Sequence, residues 1–137
     1  PEKIENIITP SPIMAQCFVY GDSRQSALVA IVVPDEDPVR NWAASFDESL
    51  ANAPFEKICK SEKLKKAIMS DIRRLSKENK LNGFETVKAI HLDSFPFSVD
   101  NELLTPTFKL KRQKARDRYE TEIAKLYAGL PPPMSKL

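Results

Sequence analysis

The alternation of hydrophobic and polar residues predicts an antiparallel hairpin early in the chain. Residues 13–20 form an apolar, β-prone run, and residues 27–33 form a second run that stops at Pro34. The polar stretch 21–25 separates the two, and such a pair of runs around a short polar turn is typical of a hairpin. Residues 28–33 are apolar on both faces, so we expect this strand to be covered on both sides.

Apolar residues that recur every three to four positions predict helices before and after the hairpin. Residues 1–8 place three isoleucines on one face, with proline and glutamate in the first turn. A second helix starts after the Asp37-Pro38 boundary and has five apolar residues on one face: Val39, Trp42, Ala43, Phe46 and Leu50. Trp42 is therefore expected to pack in the core.

The second half of the chain alternates in the same way between helix and strand. A turn or short helix covers residues 55–59, and Ser61 caps a longer helix that ends near Asn82-Gly83. Its apolar positions recur at helical spacing: Leu64, Ile68, Ile72 and Leu75. A third strand is predicted at residues 87–92. One last amphipathic helix has five apolar positions: Ala115, Tyr119, Ile123, Leu126 and Tyr127.

These elements predict an α+β fold in which a small, mostly antiparallel sheet, the hairpin plus a further strand, is covered by helices. Residues 1–128 form the domain, and residues 129–137 form a proline-rich, extended tail that is not expected to pack. The 137 residues are 42% hydrophobic and 29% charged, which is typical of a folded globular domain. No apolar run is long enough to cross a bilayer.

Cysteine, histidine and paired acids provide few candidates for a reactive site. Cys17 and Cys59 make no disulfide framework, and neither has a second thiol or a histidine at metal-ligand spacing. We predict two free thiols that pack as small hydrophobes in a reducing compartment, and no metal site. His91 is expected to be structural. Glu2 and Glu5 could form an acid pair, but the helix dipole alone accounts for acids in a first turn.

A stiff loop is predicted at residues 103–112, because Pro106 restricts both its own φ and the backbone of Thr105. The loop is expected to end where Lys109 enters a basic helix, whose dipole adds its positive end at the same place. An ammonium group there is suited to a phosphate or carboxylate anion. On the residues alone, an ordinary solvated lysine at a helix start remains the alternative.

Positive charge is concentrated in residues 109–118, where six cations and one anion give +5, so the overall +2 leaves −3 for the remainder. Such a run is typical of nucleic-acid binding, an anionic cofactor or a solvated helix face. No interleaved aromatic residue accompanies it, so we expect a solvated face and no nucleic acid. A non-catalytic module that binds nucleic acid or an anionic membrane through this segment is the alternative function. A purely structural or interaction domain is a third hypothesis.

Four separated segments resemble, in order, the small C-terminal domain of long-chain acyl-CoA synthetases, which are adenylate-forming enzymes. They are residues 1–6, 15–23, 28–33 and 103–112, and the resemblance runs from Pro1 to about Tyr127. It implies the fold of the C-terminal lid domain, which rotates between two half-reactions. In the first, a fatty-acid carboxylate and ATP give an acyl-adenylate; in the second, the acyl group passes to coenzyme A.

The resemblance also implies site residues. The adenylation lysine matches Lys109, with Lys111 as the alternative, and many members have glycine where this chain has Phe108. The loop that supports the lysine is then made of four residues: Thr105, Pro106, Thr107 and Phe108. Lys3, Lys111 and Arg112 are candidate contacts for the nucleotide or coenzyme A.

Cofactors and partners follow from the same resemblance. ATP, Mg²⁺, coenzyme A and a fatty acid serve the full-length enzyme, and this domain alone is expected to bind none of them. The phosphate loop, adenine pocket and acyl tunnel of the family belong to a large N-terminal domain of the same polypeptide. We therefore expect the 137-residue chain to be inactive by itself.

The last three residues, Ser135, Lys136 and Leu137, match a peroxisomal address that an import receptor reads. The prolines before them would hold the tripeptide clear of the fold. A chance match is the alternative, and a cytoplasmic or membrane-associated location is then expected.

Overall fold

The centre of the sheet is a hairpin, as the sequence predicts. In the computed structural model, which describes residues 1–131, strands β1 (Met14–Gly21) and β2 (Leu28–Pro34) pair in antiparallel fashion. Strand β2 is buried from its second residue to its last. It is the central strand of the sheet and is covered on both faces, which confirms the expectation from its continuous apolar run.

The third strand, β3 (Val87–Leu92), lies where it is predicted but pairs with β2 in parallel, with Ala30 opposite Ile90. The sheet order is β1-β2-β3, so the sheet is mixed, with one antiparallel and one parallel pair, rather than mostly antiparallel. A parallel pair needs a long crossover, and the helices between β2 and β3 supply it.

Five helices lie before β3: α1 (Glu2–Ile8), α2 (Glu36–Ala44), α3 (Glu48–Ala51), α4 (Phe55–Ile58) and α5 (Glu62–Glu78). Helices α1 and α5 pack on one face of the sheet through a continuous hydrophobic cluster that includes Ile8, Ile68 and Ile72. The Ser61 hydroxyl accepts a hydrogen bond from the Leu64 N–H at 3.5 Å, which confirms the predicted cap of α5.

Three predicted helix boundaries are wrong. Helix α2 starts at Glu36 rather than after Pro38, because a proline in the first turn needs no N–H donor. The helix also ends at Ala44, so Phe46 lies outside it and is 45% exposed. Helix α5 ends at Glu78, before Asn82, whose side chain instead caps a short 3-10 turn at Gly83–Glu85.

The last predicted helix is two helices, α6 (Arg112–Arg118) and α7 (Glu120–Ala128). The break is at Tyr119, where φ is −104° and ψ is 19°, although backbone hydrogen bonds continue on both sides of it. Tyr119 is only 3% exposed and its hydroxyl donates to Asp93 at 2.7 Å. The junction is therefore tied to the end of β3.

A second hydrophobic cluster covers the opposite face of the sheet, where α6 and α7 pack with Leu103 and Leu104. Leu130, assigned to the tail from the sequence, also packs against this cluster. The tripeptide Ser135, Lys136 and Leu137 lies outside the described residues. Within residues 1–131, no helix has the length and apolar character needed to span a membrane.

Candidate functional site

Lys109 lies on a tight turn between Leu104 and Leu110, which pair as an isolated antiparallel bridge. Thr105 holds the lysine backbone on both sides. Its N–H donates to the Lys109 carbonyl at 2.8 Å, and its hydroxyl accepts from the Lys109 N–H at 3.1 Å. The position of the lysine backbone is thus determined by a local hydrogen-bond network, while its long side chain is exposed.

The other residues of the supporting loop complete this turn. The Phe108 N–H donates to the Thr105 carbonyl at 2.8 Å, and the hydroxyls of Thr105 and Thr107 are 3.1 Å apart. Phe108 has φ of 63°, in the left-handed region, and is 74% exposed. Glycine adopts this conformation without steric cost. The resemblance implies glycine at this position in many members of the family, and the positive φ gives the physical reason.

Lys109 does not enter a helix, contrary to the sequence prediction. Helix α6 begins three positions later, at Arg112, and Lys111 occupies its N-cap position. The Lys111 N–H donates to the Leu103 carbonyl at 2.8 Å. The bonds that close the turn bring the chain back to Leu103 before the helix can start, so the helix dipole, which acts within the first turn, is not centred on Lys109.

The base of the loop is rigid for a separate reason. Leu103 and Leu104 are 2% and 8% exposed and belong to the hydrophobic cluster under α6. The Asn101 side chain accepts from the N–H groups of Ser98 and Leu103 at 3.0 and 3.2 Å. Apolar burial and these side-chain bonds together hold the segment that leads into the lysine turn.

Arg112 makes an ion pair inside the protein with Glu5. One Glu5 oxygen, Oε2, accepts from the Val19 N–H at 2.7 Å and from Arg112 Nη1 at 3.1 Å, and Oε1 accepts from Arg112 Nη2. Glu5 is 9% exposed, so the helix dipole does not suffice to explain it. The pair joins α1, β1 and α6, which leaves the guanidinium committed to a structural contact.

The structural role of Glu5 is what the sequence analysis missed, because it explained this acid by the helix dipole alone. Its one available signal is an acid next to Ile4 on the buried face of α1, where both neighbours in the helix turn, Ile4 and Ile8, are in the core. Lys3, a candidate contact for the nucleotide or coenzyme A, pairs with Glu85 at 3.0 Å. The Lys3 side chain is 66% exposed, and an ion pair so open to water is weak and easily exchanged.

The cations of residues 109–118 do not form one open basic face. Arg112 is paired with Glu5, Arg116 lies 5.7 Å from the centre of the Tyr20 ring, and Arg118 lies 5.8 Å from that of Tyr119. Such cation–π contacts hold guanidinium groups against the protein surface. Lys109 takes part in no ion pair within residues 1–131.

A groove of about 610 Å³ runs between α1, β1 and the lysine turn. Its lining includes Glu2, Phe108 and Lys109, and the Glu5–Arg112 pair lies along it. The arrangement brings Lys109 and Arg112 to one groove, and of these two cations the lysine is the one without an ion pair in the described part of the chain. Lys111 is not part of the lining. Because the Lys109 backbone is fixed and its side chain is flexible, the ammonium group can move to contact an anion that enters this groove.

Both thiols are free and buried. Burial raises the pKa of Cys17, and it raises the pKa of Cys59 to about 12. Both therefore remain protonated at neutral pH. The part of the chain that the structure describes contains no group of three or more His, Cys, Asp and Glu side chains placed to hold a metal ion.

Comparison with known proteins identifies the relatives of this chain. A human long-chain-fatty-acid–CoA ligase 1 is 46% identical over 132 residues, and a peroxisomal long-chain acyl-CoA synthetase 6 of Arabidopsis thaliana is 42% identical over 130. Each match covers 95% of this chain and 18% of the relative, so the chain spans about a fifth of the length of these proteins.

Solved structures support the same assignment. The adenylation domain of a carboxylate reductase from Mycobacterium chelonae matches with a TM-score of 0.75 and 29% identity, over 93% of this chain and 17% of that one. The adenylation domain of a carboxylic acid reductase from Segniliparus rugosus, in complex with AMP and a co-purified carboxylic acid, matches with a TM-score of 0.74. It is 29% identical, over 94% of this chain and 18% of that one. The family model for the AMP-binding enzyme C-terminal domain matches residues 3–80, more than half of the sequence. The chain therefore belongs to the family of AMP-binding enzyme C-terminal domains and is homologous to the corresponding part of long-chain acyl-CoA synthetases.

Proposed function

We propose that this chain is the mobile C-terminal domain of a long-chain fatty-acid CoA ligase and that Lys109 supplies its adenylation lysine. The observation that carries the proposal is the exposed, uncommitted ammonium of Lys109 on a turn that Thr105 holds in place. The long-chain acyl-CoA synthetases among the relatives support the choice of substrate class.

The chemistry of adenylation explains why such a lysine helps. A fatty-acid carboxylate attacks the α-phosphate of ATP, an O–P bond forms, and pyrophosphate leaves with its bonding electrons. Two like charges at 4 Å repel by about 4 kcal/mol at an effective dielectric constant near 20. An ammonium placed between carboxylate and phosphate offsets this repulsion and stabilises the charge of the transition state.

The remaining parts of the reaction come from elsewhere in the complete enzyme. In this proposal, a large N-terminal domain of the same polypeptide binds ATP with Mg²⁺, the fatty acid and coenzyme A, and the thiol of coenzyme A then displaces AMP. The domain rotates between the two steps, so that Lys109 serves the first step only. The pair between Arg112 and Glu5 lies inside the domain, so we expect a rigid rotation of the domain to leave it intact.

The test separates the two half-reactions in the full-length polypeptide that carries this chain. We expect Lys109→Ala to lower acyl-adenylate formation by about 10²–10³-fold, the usual effect of losing one transition-state contact. Thioester formation from supplied acyl-adenylate should remain within about three-fold of the unsubstituted enzyme, because the lysine acts in the first step.

Two matched variants make the result specific. Lys114→Ala removes an exposed lysine of α6 that makes no ion pair in the described part of the chain, and it should change neither half-reaction. Lys111→Ala tests the other lysine of the loop. Unchanged adenylation in Lys109→Ala would support a purely structural domain, and a loss confined to Lys111→Ala would transfer the role to that residue.

The same proposal predicts that the isolated 137-residue chain makes no acyl-CoA from fatty acid, ATP and coenzyme A. Its formation by the purified chain would contradict the division of labour described above. A module that binds nucleic acid or an anionic membrane would instead show binding that falls steeply with salt. The contacts already made by Arg112, Arg116 and Arg118 count against that alternative.

We also propose a peroxisomal location, through recognition of Ser135, Lys136 and Leu137 by an import receptor. Two of the relatives, both from Arabidopsis thaliana, are named peroxisomal, which supports the proposal, while other relatives have no compartment in their names. A fluorescent protein fused to the N-terminus leaves the tripeptide free. Deletion of Leu137 should then disperse the peroxisomal spots, and unchanged spots would contradict the proposal.

A further inference from the structure

A concavity of about 360 Å³ lies between α5 and the start of β3, away from the lysine turn. Arg73, Ser76 and Lys77 line it from α5, and Thr86 and Lys88 line it from the strand side. Ser76 and Lys77 lie three and four positions after Arg73, so each is a neighbour of Arg73 on the helix surface. None of the residues that line the concavity is acidic.

Ser76 is the unusual member of this group. It is 4% exposed, and its hydroxyl has no hydrogen-bond partner among residues 1–131. A buried hydroxyl without a partner costs free energy, and native proteins rarely leave one so. Ser76 is one of the residues that line the concavity, so rotation of its side chain toward a ligand with acceptor oxygens would give the hydroxyl the partner that it lacks.

The three cations around Ser76 are uncommitted as well. Arg73, Lys77 and Lys88 are exposed and make no ion pair in the described part of the chain. The nearby acids are engaged with other partners: Glu78 pairs with Arg74 at 3.3 Å, and Glu85 pairs with Lys3 at 3.0 Å. Positive charge therefore accumulates at this concavity without a protein counter-charge.

From this juxtaposition we propose that the concavity is a binding site for a phosphate group. A phosphate monoester has oxygens that can accept from the Ser76 hydroxyl and a charge that matches three cations. The Thr86 hydroxyl already donates to the Asn82 carbonyl at 2.8 Å. The site is independent of Lys109 and of the adenylation proposal, since it shares no residue with the groove at the lysine turn. A lipid headgroup and a small soluble phosphate both present this chemistry, and the experiment distinguishes them.

Inorganic phosphate is the first probe, titrated into the full 137-residue chain at constant ionic strength and followed by NMR. We expect saturable shifts of the Ser76 and Lys88 amides, with a dissociation constant on the order of millimolar. Ser76→Ala and Lys88→Gln should each weaken binding by about ten-fold, the effect of losing one charge-assisted contact. Lys66→Gln, an exposed position of α5 outside the concavity, is the matched control and should bind like the unsubstituted chain.

Thermal unfolding provides a readout that keeps a folding effect separate from binding. Without phosphate, Ser76→Ala should unfold at a higher temperature, because it removes the unpartnered buried hydroxyl. Phosphate should raise the midpoint of the unsubstituted chain more than that of Ser76→Ala, since a ligand stabilises the form that binds it better. Equal stabilisation of both proteins would overturn the role of Ser76.

Vesicles identify the source of the phosphate group. Phosphatidylcholine vesicles with phosphatidic acid, but not without it, should bind the chain in a Lys88-dependent way if the ligand is a headgroup. Saturable phosphate binding without vesicle binding assigns the site to a soluble phosphate compound. The proposal fails if neither probe binds, if chloride at matched ionic strength reproduces the shifts, or if Lys88→Gln behaves like Lys66→Gln.

Discussion

The pair between Glu5 and Arg112 allows a direct test of how α6, which follows the lysine turn, is held against α1 and β1. We consider Arg112→Met, which keeps most of the apolar stem of the side chain but removes the guanidinium. The Glu5 side chain is 11% exposed and that of Arg112 is 38% exposed. The substitution therefore leaves a mostly buried carboxylate with the Val19 N–H as its remaining described partner.

The expected magnitude follows from this burial. Breaking a fully buried ion pair costs about 3–5 kcal/mol. Water reaches the Arg112 side of this pair, and Val19 still donates to the carboxylate, so we expect a loss of about 2 kcal/mol in the free energy of unfolding. For a domain of this size, that corresponds to a midpoint lower by about 6 °C.

Urea unfolding of the 137-residue chain, followed by far-ultraviolet circular dichroism, measures this loss. Glu5→Gln keeps an acceptor for the Val19 N–H but removes the charge. The double variant, Glu5→Gln with Arg112→Met, has no unpaired charge. Its loss of unfolding free energy should therefore be smaller than the sum of the two single losses by about 1 kcal/mol or more. Lys114→Ala is the exposed control on the same helix and should stay within about 0.5 kcal/mol of the unsubstituted chain.

Two results would refute the reasoning. If Arg112→Met lowers the free energy of unfolding no more than Lys114→Ala does, the pair does not stabilise the fold. If the costs of Glu5→Gln and Arg112→Met simply add, each residue acts independently of the other, and the short contacts between them carry no coupling energy.

Three further predictions concern the loop, a tyrosine and a thiol. Phe108→Gly should raise the unfolding free energy by about 0.5 kcal/mol, because relief of about 1–2 kcal/mol of left-handed strain exceeds the entropy that glycine adds to the unfolded chain; a loss in urea unfolding would contradict this. Burial, with the bond to Asp93, raises the pKa of Tyr119. The unfolded chain therefore ionises first, and Tyr119 should make stability fall as pH rises above about 10; Tyr119→Phe should weaken that pH dependence in unfolding midpoints. Burial raises the pKa of Cys59 to about 12, so iodoacetamide at pH 8 should modify it only as the chain unfolds, and rapid labelling of the native chain, read by mass spectrometry, would count against its burial.

Much of the secondary structure was predictable because hydrophobic periodicity is a local property. The hairpin, the third strand at Val87–Leu92 and helix α1 lie where the sequence predicts them. The continuous apolar run of β2 correctly predicted a strand covered on both faces. The prediction failed where local pattern and local chemistry disagree, as at Ala44, where α2 ends although apolar spacing continues to Phe46 and Leu50.

Residue types and short spacings were enough to identify the family, the α+β class and a lysine loop. The parallel pairing of β3 and the break at Tyr119 required the tertiary structure, since both depend on partners distant in the chain. The Glu5–Arg112 pair, 107 positions apart, is the clearest case. The spacing of residues along the chain cannot reveal such a contact. The interaction energy of the pair arises only on folding, because folding removes both groups from water together.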